Sequence, residues 1–129
     1  MEDGTRMSPG HTADTTTCRV REVLDRVGDK WSVLVIELLG PGTRRFSELR
    51  REIDGISQRM LTRTLRGLER DGLVTRTVHP VVPPRVEYSL TPLGHTLFAA
   101  IGPLVEWSRA NREAIGAARE AFDTAAGAP

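Results

Sequence analysis

The stretch RRFSELRREIDGISQRMLTRTLRGLERDGLVTR, Arg44 to Arg76, decides the fold. It holds two helical patterns separated by a tight turn. Phe46, Leu49 and Ile53 recur at helical spacing, and Asp54-Gly55 ends that run. Ser57 opens a second helix that runs to Arg70, its hydroxyl placed to cap the free N–H groups of the first turn. Ile56 before it and Leu61 after it suit a hydrophobic staple, and Asp71-Gly72 terminates it. A short helix, a glycine-containing turn and a capped helix make the helix-turn-helix order.

The second helix has two chemically opposite faces. At about 100° per residue, with Ser57 as zero, Leu61, Leu65 and Leu68 fall at about 40°, 80° and 20°, and Met60 at about 300°. Arg59, Arg63, Arg66 and Arg70 fall at about 200°, 240°, 180° and 220°, opposite the leucines. Charged residues commonly form a solvated face, but this stripe lacks acids. Arg59–Arg63, Arg66–Arg70 and Arg63–Arg66 are like-charge pairs at helical spacing, each destabilising an isolated helix by roughly 0.2–0.5 kcal/mol. Only Glu69 lies close in sequence, and beside the stripe. A row of arginine without counter-charge fits an anion that arrives from outside.

Outward from this core, the chain reads as mainly α with a small β-ribbon. LVTRTVH (73–79) and RVEYSL (85–90) alternate apolar and polar residues, and the PVVPP connector between them forms a stiff protruding loop. A ribbon directly after a helix-turn-helix makes the winged variant. Thr91-Pro92 is an N-cap with proline at the first helical position, followed by a long helix carrying Leu93, Leu97, Ile101, Leu104 and Trp107 along one face. A short terminal helix to about Phe122 follows. Upstream, Val20, Val23, Leu24 and Val27 mark a helix opened by Cys18; Trp31, Leu34, Val35, Leu38 and Leu39 mark the buried face of a second, closed by Gly40-Pro41-Gly42. Residues 1–16 and 123–129 read as disordered tails around a domain at 17–122.

The 129 residues suffice for one domain. The net charge of +1 hides an uneven distribution: residues 44–90 carry 10 basic and 6 acidic groups, while the segments on either side are slightly acidic. Seventeen of the 18 basic residues are Arg, a bias that genome composition also produces, so placement matters more than number. No apolar run spans a membrane, and the polar N-terminus is no secretory signal, which points to the cytoplasm. One cysteine forms no intrachain disulfide framework. No Gly-rich phosphate loop, HExxH motif or Cys/His cluster appears, and His11, His79 and His95 lack ligand spacing, so neither an enzyme, a metal site nor a cofactor is expected.

The best candidate anion is double-stranded DNA, whose major groove admits an α-helix. Ser57, Gln58, Arg59, Thr62 and Arg63 lie on the first turns, the last four placed to read bases; Arg66 and Arg70 are placed for phosphate. Arg44 and Arg45, before the first helix of the pair, suit the DNA backbone. His79 and Arg85 flank the wing loop and are expected at the adjacent minor groove or phosphates. Arg50 and Arg51 sit among Glu48, Glu52 and Asp54 and are weaker candidates.

DKWSVLVIELL (29–39), the stretch quoted above and PPRVEYSLTPLG (83–94) together resemble the HxlR-type winged helix-turn-helix regulators, relatives of the MarR group. The resemblance covers about Cys18 to Trp107. It implies a homodimeric DNA-binding regulator, commonly a repressor, whose fourth helix reads the operator, whose wing contacts the flank and whose terminal helices build the dimer. Asp29 departs from the glycine common before Lys-Trp in such proteins, and Arg19 from a usual proline. A domain this small does not cover both its first and its long helix, so a two-fold dimer through Leu93, Leu97, Ile101, Leu104 and Trp107 is expected, with reading helices about 34 Å apart on a pseudo-palindrome. Cys18 at a helix N-terminus, near Arg19 and Arg21, favours thiolate and, by the resemblance, oxidant or electrophile sensing; a small residue packed at the dimer seam is the competing reading. Two further readings stay open: a small-molecule inducer in the dimer cleft, and a winged helix used for protein binding.

Overall fold

A computed structural model describes residues 9–127, with side chains from Arg19 onward. Six helices and three short strands follow one another: α1 (Pro9–Gly28), α2 (Lys30–Leu39), β1 (Arg44–Arg45), α3 (Phe46–Glu52), α4 (Gln58–Arg70), β2 (Val74–His79), β3 (Arg85–Leu90), α5 (Pro92–Ala110) and α6 (Arg112–Ala126). The strands form one antiparallel sheet in the order β1-β3-β2, in which Arg44 faces Tyr88, Val74 faces Leu90 and His79 faces Arg85. Among the described residues, no helix is long and apolar enough to cross a membrane.

The core collects around α2, which packs against α1, α4, α5 and β3. Its buried row is Ser32, Val35, Ile36 and Leu39, the i, i+3, i+4, i+7 stripe of a helix with one face inward. Trp31 and Leu38 only pack against this core, and Leu34 points to solvent, 43 % exposed, contrary to the inward position expected for it. The register turns on Ser32, whose hydroxyl donates to Asp29 Oδ2 at 2.9 Å and is thereby buried without loss of a partner. Asp29 is also the N-cap of α2, its Oδ1 accepting from the Trp31 N–H at 3.2 Å. The carboxylate that stands where glycine is common thus starts the helix.

Leu61, Leu65 and Leu68 of α4 lie against α2, none more than 1 % exposed, and Leu49 of α3 and its C-cap Ile53 join the same core. Past α4 the chain turns at Gly72, and α5 is docked back on that turn. Thr91 Oγ1 donates to the Gly72 carbonyl at 2.6 Å and accepts from the Gly94 N–H at 3.0 Å. Gly94 is required there, because a Cβ would stand 2.1 Å from the Leu73 carbonyl oxygen.

Three expectations change. The first helix begins at Pro9, with proline at its start as helices favour, and not at Cys18. Cys18 is therefore ten residues into α1, beyond the first turn where the helix dipole acts, so the helix-end argument for a lowered thiol pKa does not apply. The side chain of Cys18 and the residues 1–8 and 128–129 lie outside the described residues. The last helix continues through the alanines to Ala126. Finally, the face of α5 divides: Ile101 is 2 % exposed within the chain's own core and Leu97 packs beside it, whereas Leu93, Leu104 and Trp107 are more than half exposed.

Candidate nucleic-acid interface

Helix α4 is held by both ends. Ser57 Oγ accepts from the Met60 N–H at 3.0 Å, the cap that its type and position announce. At the far end, the C-cap Asp71 accepts from Arg26 Nε of α1 at 2.7 Å, and the Arg26 guanidinium lies over Gly67, where a Cβ would meet it at 2.7 Å. A mid-helix glycine disfavours the helix by about 1 kcal/mol relative to alanine, and here it makes room for that bridge.

With the leucine face fixed inward, Arg59, Arg63, Arg66 and Arg70 are all exposed. Among the described residues, none of the four makes an ion pair or a side-chain hydrogen bond. Two neighbours are less free than their residue types suggest. Gln58 Oε1 accepts from Arg50 at 3.3 Å, which ties α3 to α4, and Thr62 Oγ1 donates to the Gln58 carbonyl at 2.9 Å. Arg50, a weaker candidate by its acidic neighbours, thus braces α4.

Between α4 and the wing runs an open groove. Gln58, Thr62, Arg66 and Glu69 form its helix wall, residues 81–84 its wing wall, and Arg45, Tyr88 and Arg76 contribute to its lining. Arg76 escaped the sequence reading. Its spacing was the signal: two residues from Val74 on β2, it shares that residue's sheet face, and the register sets it opposite the buried Tyr88 where core turns into groove. The strand β1 also escaped, which brings Arg44 and Arg45 alongside Tyr88 and Glu87.

The remaining expected contacts are partly neutralised within the chain. Arg44 is paired with Glu52 in a partly exposed ion pair. Arg45 is exposed, and its backbone N–H donates to Glu48 Oε1 at 2.7 Å. At the base of the wing, Glu87 takes both neighbours: His79 Nε2 at 2.7 Å and Arg85 Nε at 3.4 Å. The hydrogen bond from His79, then the positive fields of His79, Arg85 and Arg45, hold the Glu87 carboxyl below its ordinary range against the opposing effect of desolvation. His79 and Arg85 therefore sit beside the wing loop, each in contact with the Glu87 carboxylate.

A short helix, a turn, a capped helix with an exposed cationic face and an antiparallel ribbon define a winged helix-turn-helix protein. The chain belongs to the HxlR-like helix-turn-helix family, whose model matches residues 26–115, and it is a transcriptional regulator. It is 47 % identical over 103 residues to the uncharacterized HTH-type transcriptional regulator YtfH of Escherichia coli strain K12, covering 80 % of this chain and 82 % of that one. Among solved structures, it resembles the transcriptional regulator ytfH from Salmonella typhimurium, with a TM-score of 0.74 and 46 % identity over 78 % of this chain and 90 % of that one. It also resembles the redox regulator HypR in its reduced form, with a TM-score of 0.72 and 43 % identity over 77 % and 98 %.

The lowered Glu87 carboxyl has a sign that can be checked. A carboxylate favoured in the folded state adds stability that is complete above its unfolded pKa and is lost as pH falls through the folded one. Following the Glu87 side-chain carboxyl carbon by NMR during acidification should give a midpoint below that of a free glutamate. His79→Gln should move the midpoint back up; an unmoved midpoint would show that the histidine is not the main cause.

Proposed function

We propose that the chain is a sequence-specific DNA-binding regulator, acting as a homodimeric repressor on a pseudo-palindromic operator. One observation carries this reading: four exposed arginines on the capped second helix, without a described counter-charge, on the face opposite the leucines that anchor it. A protruding helix of that kind fits the major groove, with Gln58, Arg59, Thr62 and Arg63 toward the bases and Arg66 and Arg70 toward phosphate. Arg45 and Arg76, on the groove beside α4, suit the sugar-phosphate ridge between major and minor grooves. Arg63→Ala should weaken binding to a duplex selected from a randomised pool by about 1–3 kcal/mol. For the wild type, the logarithm of affinity should fall linearly with the logarithm of salt. A salt-insensitive complex unaffected by Arg63→Ala points to a protein partner instead.

The homodimer reading rests on apolar surface left over after the chain has folded. Val20, Val23 and Leu24 of α1, Leu104 and Trp107 of α5 and Phe122 of α6 are each more than half exposed, and α6 buries no residue. Such surface marks an association site when it is contiguous. Light scattering at micromolar concentration should give twice the chain's mass; a monomer would overturn the dimer.

The similarity to HypR, a redox regulator by name, supports Cys18 as a responder to oxidants or electrophiles. Modification in α1 would reach α4 through the Arg26–Asp71 bridge and the shared packing on α2. Diamide or a quinone should release wild-type chain from the selected duplex and leave Cys18→Ser bound. Equal responses would exclude Cys18 as the sensor.

A further inference from the structure

The reading helix and the wing differ in chemistry. On α4 none of the four arginines has a carboxylate partner among the described residues; at the base of the wing Glu87 contacts both His79 and Arg85. Beyond those residues the loop 80–84 carries no charged side chain at all. It is also poor in backbone donors. Pro80, Pro83 and Pro84 have no N–H, and the Val81 N–H is already spent on the His79 carbonyl at 2.8 Å. Only the Val82 N–H is left among the five residues. A wing tip so built has little with which to hold a phosphate.

What it presents instead is hydrocarbon. The Val82 side chain is 99 % exposed and Val81 is 47 % exposed, on a loop whose prolines limit its freedom to collapse. An isopropyl group held fully in water by a stiff loop gains nothing for the folded chain, since burial of a valine is what stabilises. The loop is continuous with the groove whose opposite wall is α4: Val81 and Val82 line the same concavity as Arg66 and Arg76. With α4 in the major groove, the sugar-phosphate ridge occupies that concavity, and the tip then lies over the adjoining minor groove.

We propose that the wing tip is an apolar wedge, with Val82 packed against the deoxyribose walls of the flanking minor groove. It adds a part of the affinity that does not depend on salt. The inference rests on α4 reading DNA. The wing thereby senses the width of the minor groove, because hydrocarbon packing is sensitive to the spacing of the walls and blind to the hydrogen-bond pattern of the base edges.

The test uses the full chain and two duplexes: one selected from a randomised pool, and the same site trimmed to the base pairs beneath the reading helices. Titration by fluorescence anisotropy over a salt series should show Val82→Ser binding the long duplex about tenfold more weakly, the loss expected when the hydrocarbon contact of one valine is removed. The slope against salt should stay that of the wild type, and Val82→Leu should keep most of the affinity. On the trimmed duplex, the wild type and Val82→Ser should bind alike. Because Val82 is exposed, its replacement does not disturb the core. Wild-type affinity for Val82→Ser on the long duplex overturns the wedge, and so does a loss accompanied by a shallower salt slope, which would mean a phosphate contact. Unchanged DNA affinity with lost regulation in a transcription assay assigns the tip to a protein partner and also overturns it. Arg63→Ala separates the two levels: if it too binds as the wild type does, the reading by α4 is at fault, and not the wedge alone.

Discussion

Helix α4 has to satisfy the core and the solvent at once, and the rest of the molecule is arranged around that. Burying Leu61, Leu65 and Leu68 is worth roughly 1.5–3 kcal/mol for each side chain. The three like-charge arginine pairs on the outer face oppose the helix by roughly 0.2–0.5 kcal/mol each. Burial wins by several-fold, so the helix forms despite its charge, and the rotation that buries the leucines turns the guanidinium groups outward. The cost is small enough for the fold to tolerate permanently. It is returned when an anion neutralises the row, which makes the cationic face an inexpensive way to keep a binding surface ready.

The wing resolves the same problem differently. A two-stranded extension with a protruding tip has little core to hold it, and free positive charge at its base would repel Arg45 across the sheet. Glu87 stands at the point where β1, β2 and β3 meet, opposite Thr77 on one side and Arg45 on the other, and its carboxylate contacts His79 and Arg85. This ties the base of the ribbon together and engages Arg85, while Arg45 stays exposed. Charge is thus concentrated on the helix and hydrocarbon on the wing tip.

The helices were legible in the sequence because apolar spacing and caps are local. Ser57, Thr91-Pro92, Gly40 and the leucine row of α4 each fix one boundary or one face within a few residues. What escaped depends on distant partners. A hydroxyl as deeply buried as that of Ser32 reads as surface until Asp29 is seen to accept from it, and the register of α2 shifts with it, putting Leu34 outside. Strand β1 is two arginines with no apolar alternation, defined only by pairing with residues more than forty positions later. The neutralisation of His79 and Arg85 likewise needs the β2–β3 register, since eight residues separate His79 from Glu87 along the chain. Residues 9–16, rich in Thr and Asp, read as tail, although proline at a first helical position was the local sign of a start.

The terminal helices raise a question of balance. From Arg19 onward α1 buries no side chain fully, and α6 buries none, so neither is held by the core that fixes α4. The Arg26–Asp71 bridge is the polar tie from α1 to the reading helix, and a partly exposed pair of this kind contributes at most about 1 kcal/mol. Among the described residues, α1 is seated by its packing against α2 and by this bridge, which leaves its outer face open to a further contact. Seven exposed large apolar side chains on α1, α5 and α6 represent a burial term on the order of 10 kcal/mol per copy, and so about twice that for a two-fold pair, against the roughly 4–15 kcal/mol that association costs in lost freedom. A second copy placed there would gain a net surplus and would help to set the angle of α1. A small change at that seam would then alter the spacing of two reading helices without disturbing either core.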